Sequence, residues 1–411
     1  MLEISFLDVL LVAAGALAVV TVAVSGLIRQ LPVSEPLVAL LVGVLLGPQV
    51  VGALDAEPLT VESAHLHDAS RLLLALSVVA VALRYPREAV LRRWRPVALL
   101  LVVVMPLMAV TTAAVAATVL GVGLGVAALL GAALAPTDPV LASSVVTGRP
   151  AEKTLPGRDR EVLSLESGAN DGLAFPLVLA ALAVAAPLGA GAATGEAVYA
   201  VLGAVVLGGG LGWLGARALA YAESRREAER TPTLLFTVFL ALAVLGASGL
   251  FRLDGVLAAF AAGIAFNLAG KGDERARDAG LNESVNRMAA LPFFVYLGAV
   301  LPWAEWAALG WPGVALAVGV LLLRRLPWLL LLARPLGLRR PDAVYLGWFG
   351  PIGVSAIFYL TLVAERGAAT PELLAAGSLV VTASLVAHGI TSSPGVALYR
   401  RRVQERATAG D

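Results

Sequence analysis

The chain has 411 residues, of which 59% are hydrophobic and 14% are charged, and its mean hydropathy is +0.86. Soluble globular domains do not have this composition, which is typical of a protein embedded in a lipid bilayer. The formal net charge of +1 excludes a basic surface for nucleic acid, and the absence of cysteine excludes disulfides and thiolate metal sites. No cofactor is therefore expected.

Apolar runs of roughly 18 to 25 residues recur along the whole chain, and about 20 helical residues cross a hydrocarbon core about 30 Å thick. The first run is too long for the core of a signal peptide and lacks a basic leading segment, so it is interpreted as a retained helix. We predict an all-α polytopic membrane protein of about thirteen transmembrane helices. These are placed at about 6–28, 36–54, 69–85, 96–119, 124–147, 161–186, 196–220, 233–251, 255–269, 285–306, 312–333, 342–364 and 373–394.

The distribution of basic residues supports this number of spans. Of the 30 Lys and Arg residues, 27 fall in alternate connections, and the other side of the membrane has only Arg71, Arg252 and Arg366. The positive-inside rule then places the amino terminus outside and the carboxyl terminus in the cytoplasm. Arginine outnumbers lysine 28 to 2, which is typical of a GC-rich bacterial genome, so the predicted location is a bacterial inner membrane.

The fifth and twelfth predicted helices both contain motifs that interrupt a helix, A-P-T-D-P at 135–139 and G-P-I-G at 350–353. A shift of seven helices pairs them and reverses their direction in the membrane, which indicates inverted repeats of six helices each. Paired interrupted helices mark the binding site of a secondary transporter. We predict one domain, 1–411, with repeat one at about 6–186, a connector helix at about 196–220, repeat two at about 233–394, and a short basic cytoplasmic tail at 395–411.

The first interruption places a polar pair between two prolines, since Pro136, Thr137, Asp138 and Pro139 lie about halfway along the fifth helix. Prolines remove backbone hydrogen bonds, and peptide groups freed at this depth need partners from the protein or a water-lined cavity. A simpler interpretation is a proline kink in which Asp138 complements the positive end of the second half-helix. Both interpretations can hold together.

The sixth predicted helix contains S-L-E-S-G-A-N-D-G-L from Ser164 to Leu173. Asp171 lies roughly 15 Å along this helix, about half the membrane thickness. Ser167 and Asp171 share one face, and Glu166 and Asn170 share the next. An ionisable residue at this depth indicates function, because it costs a few kcal/mol to place there. A purely structural hydrogen-bond network between helices is the alternative.

These residues suit a competition between a cation and a proton. A hard cation such as sodium prefers oxygen ligands, which the Asp171 carboxylate, the Ser167 hydroxyl and carbonyls freed near Thr137 can provide. Burial favours the neutral form of a carboxyl group, so the same group can hold a proton instead. One carboxylate can therefore bind either of two substrates, but not both at once.

The T-D-P turn followed by E-S-x-x-N-D, about 30 residues apart on consecutive helices, resembles the NhaP/NHE-type monovalent cation:proton antiporters. The resemblance implies an NhaA/NhaP-like fold with two discontinuous crossing helices, a homodimer, and exchange of Na⁺ or Li⁺, or of K⁺, for H⁺. It also implies that Asp171 is the shared carrier, with Ser167 and Thr137 as cation ligands. Asp138 and Asn170 would stabilise the crossing of the broken helices.

The same resemblance implies further features of the site. The Asn170–Asp171 pair, where electrogenic relatives have two aspartates, implies electroneutral one-for-one exchange. Glu166 would pair with an arginine of the eleventh helix, for which Arg324 is the candidate; alternatively, Arg324 and Arg325 extend to the cytoplasmic surface.

Two departures from the family pattern affect ion preference and pH response. Gly350, Pro351, Ile352 and Gly353 stand where many relatives have G-L-R-G, and the third helix lacks the acid that some archaeal relatives add.

The sequence therefore favours a secondary active antiporter that works by alternating access, not an enzyme. A cation channel or a regulatory membrane subunit with a static polar site is the main alternative, and saturable proton-coupled flux separates the two. A membrane-embedded hydrolase is a weaker one, because the chain has no H-E-x-x-H and no G-x-S-x-G motif.

Overall fold

The computed structural model describes residues 10–13, 15–16, 19, 33–60, 64–139, 141–142, 155–185, 190–224, 232–270 and 289–408. Throughout these ranges the secondary structure is helical, with short connections and no strand. The helices are α1 (Glu35–Leu46), α2 (Ala64–Leu83), α3 (Arg87–Leu120), α4 (Leu124–Ala133), α5 (Gly157–Ala185), α6 (Ala190–Ser224), α7 (Pro232–Leu250), α8 (Gly255–Ala269), α9 (Ala289–Ala299), α10 (Trp303–Leu323), α11 (Leu326–Leu331), α12 (Ala333–Leu336), α13 (Arg340–Trp348), α14 (Val354–Glu365) and α15 (Pro371–Thr408).

Several of these helices are long and apolar enough to cross a membrane. Within the described ranges there are 6 such spans. The helices α2, α3, α5, α6 and α15 each contain one, and the sixth runs through α10 and α11. Shorter apolar helices are also present, among them α1, α4, α8, α9 and α14. The prediction of an all-helical, multi-pass membrane protein is confirmed.

The observed helices follow the predicted order but differ at some ends. The first predicted span, 6–28, lies largely outside the described residues. The second, 36–54, is shorter than predicted, because Gly47 and Pro48 end α1 at Leu46. The boundary between the spans predicted at 285–306 and 312–333 lies earlier in the chain than predicted. α9 ends before Pro302, and α10 begins directly after it.

The last helix is longer than predicted. α15 continues through Pro394, and the tail predicted at 395–411 is helical as far as Thr408. Tyr399, which is buried, donates a hydrogen bond to Asp342 in the first turn of α13 at 2.5 Å. This contact ties the extension to α13.

Two helices are interrupted in the interior of the protein, as the sequence predicted. α4 ends at Ala133 and helical structure resumes at Pro139, whereas α13 and α14 are separated by residues 349–353. The two interruptions lie against each other, because the Asp138 amide donates to the Pro351 carbonyl at 2.9 Å. Crossing helices are therefore present, while the inverted six-helix repeat remains a prediction.

Glycines allow the interrupted segments to pack this closely. A Cβ atom at Gly353 would collide with the Asp138 carboxylate, and one at Gly350 would collide with the Arg325 side chain. Helices α6 and α8 also pack closely through glycines. Added Cβ atoms at Gly208 and Gly212 would collide with backbone carbonyls of α8. Small residues permit such close backbone approach in membranes.

Candidate functional site

The interrupted helices meet at a cluster of buried polar side chains. Six residues of this cluster are at most 1% exposed: Thr137, Asp138, Glu166, Ser167, Asn170 and Asp171. Two come from the interruption after α4, and four come from consecutive turns of α5. All six were predicted site residues, and the structure brings them to one region of the interior.

Asn170 connects α5 to the first interruption. Its Oδ1 accepts from the Thr137 amide at 3.2 Å, and its Nδ2 donates to the Thr137 hydroxyl at 2.8 Å and to Glu166 Oε1 at 2.9 Å. The hydroxyls of Thr137 and Ser167 are also hydrogen-bonded to each other at 2.9 Å. These bonds satisfy the Thr137 amide in the interruption and the buried hydroxyls of Thr137 and Ser167.

Asp138 caps two helix ends at once. One carboxylate oxygen accepts from the Leu141 amide at 3.1 Å, and the other accepts from the Val354 amide in the first turn of α14. Both amides lie at the beginning of a half-helix, where the backbone carries partial positive charge. The predicted capping role of Asp138 therefore extends to the second interrupted helix as well.

Arg324 has the complementary position at the opposite helix ends. Its Nη1 donates to the carbonyls of Leu134, Ala135 and Pro136 at 2.8, 2.9 and 3.0 Å, and its Nη2 donates to the Gly350 carbonyl. Both sets of carbonyls follow the end of a half-helix, where the backbone carries partial negative charge. Carbonyls near Thr137 were predicted to be free for a cation, but Arg324 holds three of them.

The predicted pairing of Glu166 with Arg324 is wrong, because Arg325 is the partner. Arg325 Nη1 lies 2.8 Å from Glu166 Oε1, and its Nη2 lies 2.9 Å from Oε2, which is a bidentate ion pair. Adjacent residues point in different directions, so only one of the two arginines can face α5. Both are buried, at 3% and 2% exposure, which excludes the alternative that they extend to the cytoplasmic surface.

The Asp171 carboxylate differs from the other buried acids. Both of its oxygens are buried, and neither has a hydrogen-bond partner among the described residues. In particular, the structure shows no hydrogen bond from Ser167 or Thr137 to this carboxylate, although the two hydroxyls bind each other nearby. A buried carboxylate without donors is unfavourable unless it takes up a proton or a cation. Asp171 therefore lacks the hydrogen bonds that the carboxylates of Asp138 and Glu166 accept.

Residues of α14 and α15 outside the predicted set of site residues complete the site. Tyr359 donates to the Asp171 carbonyl and, at 3.3 Å, to the Gly172 carbonyl. His388 Nε2 lies 2.8 Å from the Trp348 carbonyl at the end of α13, and the Ser384 hydroxyl accepts from the Ile352 amide at 2.8 Å. Only the polarity of these residues inside apolar helices could have indicated their role.

The family comparison covers nearly the whole chain. Residues 16–397 match the family model described as "Sodium/hydrogen exchanger, transmembrane". The chain is 34% identical over 351 residues to Na(+)/H(+) antiporter 2 of Zygosaccharomyces rouxii, a match that covers 80% of this chain and 42% of the relative. It is 30% identical over 376 residues to a Na(+)/H(+) antiporter of Saccharomyces cerevisiae, which covers 87% of this chain and 38% of the relative. The chain therefore spans less than half the length of these two relatives.

A third relative is matched over more of its length. A Na(+)/H(+) antiporter of Schizosaccharomyces pombe is 26% identical over 354 residues, which covers 80% of this chain and 74% of the relative. Among solved structures, the sodium proton antiporter MjNhaP1 from Methanocaldococcus jannaschii superposes with a TM-score of 0.72 at 18% identity, covering 96% of this chain and 99% of that one. This structural match establishes the fold. The family match over residues 16–397 shows that the chain belongs to the sodium/hydrogen exchanger family.

Proposed function

We propose that the protein exchanges a monovalent cation, with sodium the first candidate, for protons across the membrane, and that Asp171 is the shared carrier. The observation that carries this proposal is the fully buried Asp171 carboxylate, whose two oxygens have no hydrogen-bond partner among the described residues. Ser167 and Thr137 are the proposed cation ligands beside it. The relatives that the chain matches are named as Na(+)/H(+) antiporters, which supports this substrate pair.

The charges around the interruptions support one-for-one exchange. Three buried carboxylates, of Asp138, Glu166 and Asp171, lie among two buried guanidinium groups, of Arg324 and Arg325. When all five are ionised, the cluster has one negative charge in excess. One proton or one monovalent cation on Asp171 cancels this excess equally, so the loaded carrier has the same charge in both states. Electroneutral exchange follows from this proposal.

Alternating access is the proposed transport step. The interruptions, α5 and α14 share the hydrogen bonds of Asp138, Asn170 and Tyr359, so these elements are expected to move together against the remaining helices. We propose one transport domain of two repeats, at about 6–186 and 233–394, acting in a homodimer, with the amino terminus outside. The three relatives matched by sequence identity are yeast proteins, so a bacterial inner membrane is not part of this proposal.

The direct test is flux in proteoliposomes that contain the purified protein. Sodium, lithium and potassium gradients are applied in turn while a trapped dye reports internal pH. We expect saturable proton movement that requires at least one of these cations. The protons should move in the direction opposite to the cation flux. Cation flux that is not saturable and not coupled to protons would instead show a channel, and no flux with any cation would contradict antiport.

Stoichiometry gives a second prediction, because electroneutral exchange does not depend on membrane potential. We expect equal initial rates in vesicles held at zero and at about 100 mV, with the pH and sodium gradients kept constant. A net charge that crossed the full field would be biased by about 2.3 kcal/mol per 100 mV. A clear change of rate with voltage would show that a second group also exchanges protons, and one-for-one exchange would have to be abandoned.

A further inference from the structure

Ser355 is a buried serine near the start of α14. Its side chain is 0% exposed, and its Oγ has no partner among the described residues. Serines inside helices usually bond to the carbonyl four residues earlier, as Ser248 does with Val244 at 2.7 Å. For Ser355 that residue is Pro351, which belongs to the interruption and whose carbonyl accepts from the Asp138 amide. The Ser355 hydroxyl is therefore free for another partner.

The position of Ser355 directs this hydroxyl toward Asp171. Ser355 and Tyr359 are four residues apart in α14 and share one face. Tyr359 donates to the Asp171 backbone carbonyl, so this face of α14 packs against α5 at the depth of Asp171. The Ser355 hydroxyl and both Asp171 carboxylate oxygens are buried, and none of the three has a hydrogen-bond partner among the described residues. Two sets of unpartnered buried oxygens thus face each other across two helices.

A bound cation needs several oxygen ligands, and the backbone near the first interruption offers fewer than expected. Arg324 already holds the carbonyls of residues 134–136, so the ligands must come largely from side chains. Hydroxyl and carboxylate oxygens suit a hard cation. Besides Asp171, Ser167 and Thr137, the Ser355 hydroxyl is available, because it lies on the face of α14 that packs against α5 and has no hydrogen-bond partner among the described residues.

We propose that Ser355 is a further cation ligand, which completes the oxygen set around Asp171 from the second interrupted helix. This inference rests on the proposed cation:proton exchange. A proton needs only the carboxylate, whereas a cation needs the hydroxyl as well. Removing the hydroxyl therefore weakens cation binding and leaves proton binding nearly unchanged, which separates a ligand from a residue that merely hydrogen-bonds to the carboxylate.

The test compares Ser355→Ala with the wild type in reconstituted vesicles. We expect the KM for sodium to rise about tenfold, as for loss of one contact to a charged group, and the ratio of the lithium and sodium KM values to change. The maximal rate and the pH dependence extrapolated to zero sodium should stay close to those of the wild type. Ser248→Ala is the matched control, because it removes an equally buried serine hydroxyl that bonds within its own helix.

A second variant and a second measurement keep the test independent of folding problems. Ser355→Cys introduces the only cysteine of the chain and keeps the size of the side chain; it should also raise the sodium KM, because sulfur is a poor ligand for a hard cation. Sodium should raise the thermal unfolding midpoint of the wild type more than that of either variant.

An unchanged sodium KM in a folded variant, or a shifted pH profile with unchanged ion selectivity, would overturn the role of Ser355 alone. A wild type without sodium-dependent flux or stabilisation would overturn the proposed function and this inference with it.

Discussion

Replacement of Asp171 by asparagine should abolish exchange and leave the fold intact. The amide has the size of the carboxyl group, but it can neither release a proton nor balance the charge of a bound cation. No hydrogen bond of the described residues depends on the Asp171 carboxylate, so its replacement breaks none. It also removes a charge that is costly to bury. We therefore expect no loss of thermal stability, which distinguishes Asp171 from the other acids of the site.

The measurement is cation-dependent proton flux of the purified variant in proteoliposomes, with its thermal unfolding midpoint measured in parallel. Asp55→Asn is the matched control, because the same substitution is made at an exposed loop residue and should leave the flux unchanged. Asp138→Asn is a useful contrast, since the Asp138 carboxylate accepts from two backbone amides and its loss should lower stability. Flux by the folded Asp171→Asn variant would exclude Asp171 as the carrier.

The sequence contained enough information to predict a multi-pass, all-helical membrane protein and the buried polar residues around Thr137 and Asp171. Apolar runs and alternating basic connections arise because the lipid bilayer is the solvent of the helices. This signal is strong in the sequences of multi-pass membrane proteins. The motifs around Thr137 and Asp171 were visible for a related reason, because polar residues and prolines in mid-membrane helices are too costly to be incidental.

The remaining contacts depend on rotations of helices that no spacing reveals. The sequence could not decide between Arg324 and Arg325 as the partner of Glu166, because which of two adjacent residues faces α5 depends on where α10 ends. Likewise, Ser355 is one of two small polar residues in the apolar helix α14, the other being Thr361, and its proposed role depends on the helix opposite. The carbonyls near Thr137 seemed free only because Arg324 is 188 residues away from Pro136 in the chain.

Removing either partner of the Glu166–Arg325 pair should destabilise the protein strongly. The two side chains are 1% and 3% exposed and form a bidentate contact, so each single variant leaves one charge buried without its partner. Such a loss costs about 3 to 5 kcal/mol, whereas replacing both partners can be much milder. Glu166→Gln is a suitable substitution because glutamine retains an oxygen that can accept from Asn170.

A double-mutant cycle measures this coupling. Glu166→Gln, Arg325→Met and the double variant are compared by thermal and denaturant unfolding in detergent, and we expect the double variant to be more stable than the sum of the single losses predicts, by about 2 kcal/mol. The Glu196–Arg366 pair is the control, since it has the same 2.8 Å contact but is 44% and 37% exposed. Water replaces the lost partner there, so coupling of roughly 1 kcal/mol or less is expected. Single losses that simply add at Glu166 and Arg325 would show that the buried pair does not hold α5 to the end of α10.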